Sequence, residues 1–139
     1  MLGFIENEAG TQLTTPIKEF NNSTMGYLLV HIANTYKHWS ANFPMNKGMP
    51  YTDENSVSDI ATIHQLFAEA DDLVMDFLNH FNDPYLTVTN KVRSGKTVTV
   101  TILELFTHMI THEFHHKGQI MTMCRLLGHV PPDTDAIRY

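Results

Sequence analysis

Four of the nine histidines of this chain fall within residues 108–116. A helix turns about 100° per residue, so these four would share one face if the stretch is helical. Apolar residues on the same face predict that it turns toward the core. The histidines are His108, His112, His115 and His116, and the apolar residues are Leu105, Met109, Met123, Leu126 and Leu127.

Clustered imidazoles on a buried face need an explanation in terms of hydrogen bonding and charge. Packed together in a core, they cannot easily satisfy each other's nitrogens, and protonation would bury positive charge. A divalent metal ion removes both difficulties. His112 and His116 are spaced i, i+4, so their nitrogens can converge on one ion. This pattern predicts a metal site.

An open metal site needs a third protein ligand from another part of the chain. We choose His31, because its neighbours in L-L-V-H-I-A are apolar and should turn it toward the core. His38 lies on a similar face, nearer the end of the same predicted helix. Three other histidines are expected to be exposed, namely His64, His80 and His129.

His112-Glu113-x-x-His116 also matches the H-E-x-x-H signature of zinc proteases. The extended protease motif requires Gly and His where Gln119 and Thr122 stand, and no glutamate follows Glu113 to act as the alternative third ligand. A di-iron bundle would need a second Glu-x-x-His, which the chain lacks. A metal site of another kind is therefore favoured over both.

The composition limits the class of protein. A length of 139 residues predicts one domain, residues 1–139, and a net charge of −6 argues against nucleic acid and anionic membranes as partners. The apolar runs are too short to span a bilayer. The acidic N-terminus does not resemble a signal peptide, and a single cysteine, Cys124, excludes an internal disulfide. We expect a cytoplasmic protein.

Three helices and a hairpin are predicted to position the histidines, which makes the fold class all-α. The helices are expected at Thr24–Phe43, Val57–Phe81 and Ile102–Leu127, and alternating Val and Thr predict a small β-hairpin over residues 85–100. Residues 2–8 could form a short helix, followed by a loop over residues 10–22.

The predicted helix ends rest on capping residues. Ser23 is the expected N-cap of the first long helix, and Pro44 is expected to stop it. Ser56-x-x-Asp59 and Thr101-x-x-Glu104 resemble capping boxes, and Gly128 is placed to end the last helix. The last helix is apolar on a second side as well, which predicts dimerisation or a covering segment. That side carries Phe106, Ile110, Phe114, Met121 and Cys124.

Three stretches together resemble the DinB/YfiT-like superfamily of metal-binding bundles. They are S-T-M-G-Y-L-L-V-H-I-A-N-T-Y-K-H-W (residues 23–39), H-M-I-T-H-E-F-H-H-K-G-Q-I (residues 108–120) and L-L-G-H-V-P-P-D-T-D (residues 126–135). The resemblance implies an up-down four-helix bundle with a long crossover connection, and often a homodimer. It also implies nickel, zinc or a similar divalent ion held by His31, His112 and His116. Relatives usually have a full-length first helix, which here must be short or missing.

The resemblance also implies a chemistry, since some relatives are S-transferases or isomerases that use bacillithiol, mycothiol or glutathione. A metal-bound thiol would be held as the nucleophilic thiolate. Glu113 could orient an imidazole, act as a base, or be a plain carboxylate at the surface or in a helix interface. The substrate cavity could be lined by Tyr27, Thr35, His38 and His108. The alternatives are a non-catalytic metal-binding or stress-related protein and a metal-dependent hydrolase.

Overall fold

The computed structural model describes residues 1–92 and 94–135, and it contains four main helices, a short 3-10 helix at Lys18–Phe20 and one β-hairpin. Helix α1 spans residues 2–12 and consists of α-helical Leu2–Phe4, π-helical Ile5–Ala9 and 3-10 helical Gly10–Gln12. Helix α2 spans residues 25–45 and consists of α-helical Met25–Tyr36, π-helical Lys37–Asn42 and α-helical Phe43–Met45. Helices α3 and α4 span Ile60–His80 and Ile102–Leu126, and strands β1 and β2 span Thr87–Lys91 and Thr97–Thr101. The predicted helical fold class with a small hairpin is confirmed.

Helix α2 is the centre of the bundle, since it packs against both α3 and α4. Fully buried side chains from all three helices meet there, and removing their apolar surface from water stabilises the arrangement. These side chains include Leu29 and Ile32 of α2, Ile63 and Phe77 of α3, and Met109, Ile120 and Met123 of α4.

The first helix is present but short. Ile5 and Ala9 are fully buried, and Leu13 just after the helix is 1% exposed, so this segment joins the core. The N–H of Gly26 donates to the carbonyl of Leu13 at 2.9 Å. A Cβ at Gly26 would lie 3.1 Å from that same oxygen, so the absence of a side chain permits the close approach of α1 and α2.

The second apolar side of α4 is covered mainly by the chain itself. Met121 and Cys124 are buried, and the Cys124 Sγ lies 3.5 Å from the Sδ of Met25 on α2. Phe106 is partly buried, whereas Phe114 stays 41% exposed. A covering segment thus accounts for most of this side, and the homodimer stays a prediction.

Two predicted boundaries of α2 are wrong. Thr24, not Ser23, is the N-cap: its hydroxyl accepts the N–H of Tyr27 at 3.0 Å, which leaves the hydroxyl of Ser23 without a partner among the described residues. The helix also continues past Pro44 to Met45. Pro44 stands in the first turn of the last helical piece, after the π-helical turn, where a missing N–H is tolerated.

Helix α3 begins three residues later than predicted. The side chain of Asp59 accepts the N–H of Thr62 at 2.8 Å and so caps the helix at Ile60. Ser56, the predicted cap, instead donates its hydroxyl to the carbonyl of Asp53 at 2.8 Å within the preceding loop. The hydroxyl of Ser56 therefore stabilises a turn in the loop and does not, as the sequence had predicted, cap the helix.

The hairpin leads directly into α4. Its antiparallel register pairs Thr87 with Thr101 and Thr89 with Thr99. Thr101 then caps α4 in the predicted capping box with Glu104, and Gly128 ends that region with a φ of 93°. In the part of the chain that the structure describes, no helix combines the length and apolar character needed to cross a membrane.

Replacing Thr101 with alanine should lower the free energy of unfolding by about 1 kcal/mol, because the N-cap hydroxyl is lost. That hydroxyl accepts the N–H of Glu104 at 3.1 Å and donates to its carboxylate at 2.8 Å. Urea denaturation measures the change. Thr107→Ala, at an exposed position within α4, is the matched control and should not destabilise the protein. Equal stability of the Thr101→Ala variant and the parent would contradict the assignment.

Candidate metal centre

His31, His112 and His116 come together where α2 packs against α4. One ligand atom from each of the three lies within 4.8 Å of the others, and no other such group of three occurs within residues 1–92 and 94–135. The ring centroids are 5.1 Å apart for His31 and His112, 5.0 Å for His31 and His116, and 4.5 Å for His112 and His116. Three nitrogen donors at these separations could hold one metal ion.

The positions of the three histidines follow from helix geometry. His112 and His116 are four residues apart, so their side chains stand one above the other on α4. His31 lies in the middle of α2, flanked by the fully buried Val30 and Ile32. All three imidazoles are partly buried, which places the cluster at the margin of the core with a side open to solvent.

Gln119 is the hydrogen-bond partner of His116 on the same helix. Its Oε1 lies 2.6 Å from the Nδ1 of His116. A carbonyl oxygen only accepts hydrogen bonds, so Nδ1 carries the proton and Nε2 keeps a free lone pair. The K-G-Q stretch after the histidines therefore contributes directly to the site, through a residue that is one turn away on the same helix.

His112 and His116 are held in the neutral form that a metal ligand needs. Burial, reinforced by the neighbouring histidines, lowers the pKa of His112 to about 4, and burial likewise lowers the pKa of His116. The Nδ1 of His112 is buried and has no hydrogen-bond partner among the described residues. Buried nitrogens normally have partners, so this set of neutral donors fits a divalent cation.

The other two clustered histidines are exposed, which corrects the prediction that all four point into the bundle. His108 contacts the ring of Trp39 at a centroid distance of 5.1 Å, and His115 contacts His116 at 4.9 Å. The predicted apolar face is also narrower than expected: Leu105, Met109 and Met123 are buried, but Leu126 is 49% exposed. Only part of the histidine-bearing face of α4 is therefore in contact with the core.

Glu113 lies in the interface between α4 and α2. Its Oε2 accepts a hydrogen bond from the hydroxyl of Tyr36, a residue that is 7% exposed. Burial and the neighbouring carboxylate raise the pKa of Tyr36 above its ordinary value. The carboxylate of Glu113 is thus engaged in a contact that joins the two ligand-bearing helices.

A cleft of about 750 Å³ opens at His31. Two of the predicted cavity residues, Thr35 and His38, line it. Tyr27 and His108 do not: Tyr27 stacks against His31 with a centroid distance of 6.3 Å, and His108 lies against Trp39. The lining is completed by Asn34, Trp39, Tyr51, Thr52, Asp53, Glu54, Lys91 and Val92.

Residues of the loop between α2 and α3 were missed by the sequence analysis. Tyr51 hydrogen-bonds to the Nδ1 of His38 at 2.7 Å, and Glu54 approaches the Nδ1 of His31 at 3.5 Å. Burial and the nearby His108 lower the pKa of His38. No periodic pattern marks this loop, so no sequence signal pointed to these contacts.

The remaining histidines lie away from the site. His64 and His80 are exposed as predicted, and His64 pairs with Glu6 at 3.2 Å. The prediction for His129 is wrong: it is partly buried, and its Nε2 hydrogen-bonds to the Oε1 of Gln12 at 2.6 Å. The short first helix packs near the end of α4 and shields this ring.

Chelator-treated protein should lose stability as the pH falls from about 6.5 toward 4. His112 has a folded-state pKa of about 4 against an ordinary value of 6.5. Between these values the unfolded chain binds a proton that the folded protein excludes, so the free energy of unfolding rises with pH. His112→Gln should show a weaker pH dependence in urea denaturation. The exposed His80→Gln should behave as the parent, and an unchanged slope in His112→Gln would refute the expectation.

The sequence of the whole bundle matches a known family. The sequence model of the DinB family matches residues 6–139, which include the three clustered histidines and both helices that carry them. None of the curated proteins compared with the chain matches it. The chain belongs to the DinB family.

Proposed function

We propose that the protein binds a divalent ion, nickel or zinc, through His31, His112 and His116, and that it transfers a low-molecular-weight thiol to an electrophilic substrate. The thiol would be of the bacillithiol, mycothiol or glutathione type. One observation carries this proposal: His31 belongs both to the histidine cluster and to the wall of the 750 Å³ cleft. A ligand in the cleft would therefore lie beside the metal site.

The donor set supports an open metal site. Three protein ligands with a remaining position for water or substrate are typical of catalytic zinc, whereas structural zinc usually takes four protein ligands. Three imidazoles suit nickel as well as zinc. Neutral imidazoles leave the double charge of the ion uncompensated, and when bound, the ion supplies the positive charge that keeps a thiol sulfur deprotonated.

The cleft has the size and lining that a small-molecule reaction requires. Small-molecule sites usually occupy about 300–1,000 Å³ and combine apolar walls with a few polar groups. Here Trp39 and Val92 supply apolar surface, while His38, Asp53 and Lys91 supply polar ends. The thiol sulfur would bond to the electrophilic carbon while the leaving group departs with the bonding electrons, and the cleft would hold the two reactants together.

The environment of Glu113 favours thiol transfer over hydrolysis. A hydrolase with this motif would use Glu113 as the base that activates water. Its carboxylate instead accepts the hydroxyl of Tyr36 across the helix interface. Thiol transfer would not need that base, because the thiol would bind as the thiolate with its proton released to solvent. We therefore propose a positioning role for Glu113 rather than the general-base role considered from the sequence.

Metal content tests the binding part of the proposal. The purified chain loaded with Ni²⁺ or Zn²⁺ and desalted should retain the ion, and His31→Ala and His112→Ala should lose most of it, because two imidazoles bind far more weakly than three. The exposed His80→Ala is the control and should retain the ion. Elemental analysis gives the answer, and equal retention in His31→Ala would remove His31 from the site.

Thiol conjugation tests the catalytic part. The metal-loaded chain should consume bacillithiol, mycothiol or glutathione in the presence of an electrophile such as a chloronitrobenzene, and the chelator-treated chain should not. Mass spectrometry of the conjugate measures the rate. Metal retention with neither conjugation of any of the three thiols nor hydrolysis across a broad substrate panel would favour a non-catalytic metal-binding protein.

A further inference from the structure

We infer that Glu54 is a positioning residue for the metal ligand His31, and that α2 fixes the loop of residues 46–59 so as to place it there. The inference rests on the proposed metal binding. His31 is on α2, whereas the other two ligands are on α4, so the orientation of its ring depends on residues near α2.

Glu54 lies beside the Nδ1 nitrogen of His31. Its Oε1 is 3.5 Å from Nδ1, with the side chains 30% and 35% exposed. A carboxylate only accepts, so the contact requires a proton on Nδ1 and leaves the lone pair on Nε2. The carboxylate of Glu54 is not among the ligand atoms that lie within 4.8 Å of one another, so it is a partner of His31 and not a fourth ligand.

This contact is longer than an ordinary N–H···O hydrogen bond, which measures about 2.9–3.0 Å. Binding of a cation to the other ring nitrogen makes the Nδ1 proton more acidic, which strengthens its bond to a carboxylate. In metal sites, carboxylates in this place fix the orientation of the ring and raise the basicity of the ligand. Gln119 already has the equivalent contact with His116.

Two asparagines of α2 hold the loop that carries Glu54. Asn34 donates to the carbonyl of Thr52 at 2.7 Å and accepts the N–H of Thr52 at 3.0 Å. Asn42 makes the same pair of bonds to Met49, at 2.9 and 2.8 Å. Each amide side chain thus satisfies a backbone N–H and a backbone carbonyl of the loop, which has no regular secondary structure to satisfy them.

Asn34 links the loop to the ligand directly. It follows His31 by three residues, so both side chains project from the same part of α2. The Nδ2 of Asn34 also lies 3.5 Å from the Oε1 of Glu54. Asn34 is only 8% exposed, so its own position is fixed by the core. The position of Glu54 relative to His31 is therefore set by one turn of helix and not by a free loop.

A zinc titration of the full chain in competition with a colorimetric chelator tests the inference. Glu54→Ala should weaken zinc binding by about 10- to 100-fold, the usual effect of removing such a partner. Glu54→Gln should lose less, because an amide oxygen still accepts from His31. Asp72→Asn is the matched control: it removes the same charge at an exposed position of α3 outside the cleft and should bind zinc as the parent does.

The outcomes separate the inference from the proposed function. Zinc binding by the parent with unchanged affinity in both Glu54 variants would overturn the inference and leave the metal site standing. A loss in Asp72→Asn equal to that in Glu54→Gln would overturn it too, by showing that bulk charge is responsible. Thermal unfolding of the metal-free variants should match the parent, and a parallel loss of stability would indicate loop support instead. A parent that binds neither zinc nor nickel in the same titration would refute the proposed function and the inference together.

Discussion

The packing of α2 against α4 is the contact on which the candidate site depends. His31 lies on one helix and His112 and His116 on the other, so the cluster exists only when the two helices are in register. The fully buried Met25 and Cys124 contact each other across the same pair of helices, and Tyr36 bonds to Glu113 there. Core burial thus supplies the free energy that holds the three imidazoles together. A cation bound to their nitrogens would stabilise the folded state further.

The cleft beside the histidine cluster is formed by a change of helix geometry in α2. Helix α2 changes to π-helical geometry over Lys37–Asn42, which alters the direction of successive side chains; such turns occur frequently at functional sites. His38 and Trp39 come from this turn and line the cleft, while Lys37 is buried and pairs with Glu69 of α3 at 3.0 Å. The loop after α2 closes the cleft from the opposite side. One helix therefore provides a metal ligand, a cleft wall and the anchor for a loop.

Sequence periodicity predicted what depends on helix faces and not what depends on loops. The i, i+4 spacing of His112 and His116 and the apolar neighbours of His31 were enough to select the three clustered histidines. The capping box at Thr101 was visible because both partners lie within one turn. Glu54, Tyr51 and the partner of Glu113 were not visible, because their contacts join residues separated by 13 to 77 positions through irregular or opposing segments. Ser23 and Ser56 failed as caps because a neighbouring residue or turn competed for the same role.

In the proposed site, three imidazoles from two helices bind one divalent ion. X-ray absorption spectroscopy of the zinc-loaded chain measures the ligands around the ion directly. We expect three imidazole nitrogens at about 2.0–2.1 Å, with one or more oxygen ligands from solvent, or the sulfur of an added thiol, completing the coordination. A spectrum without imidazole scattering, or one that fits fewer than three imidazoles in the parent and is unchanged in His31→Ala, would contradict it.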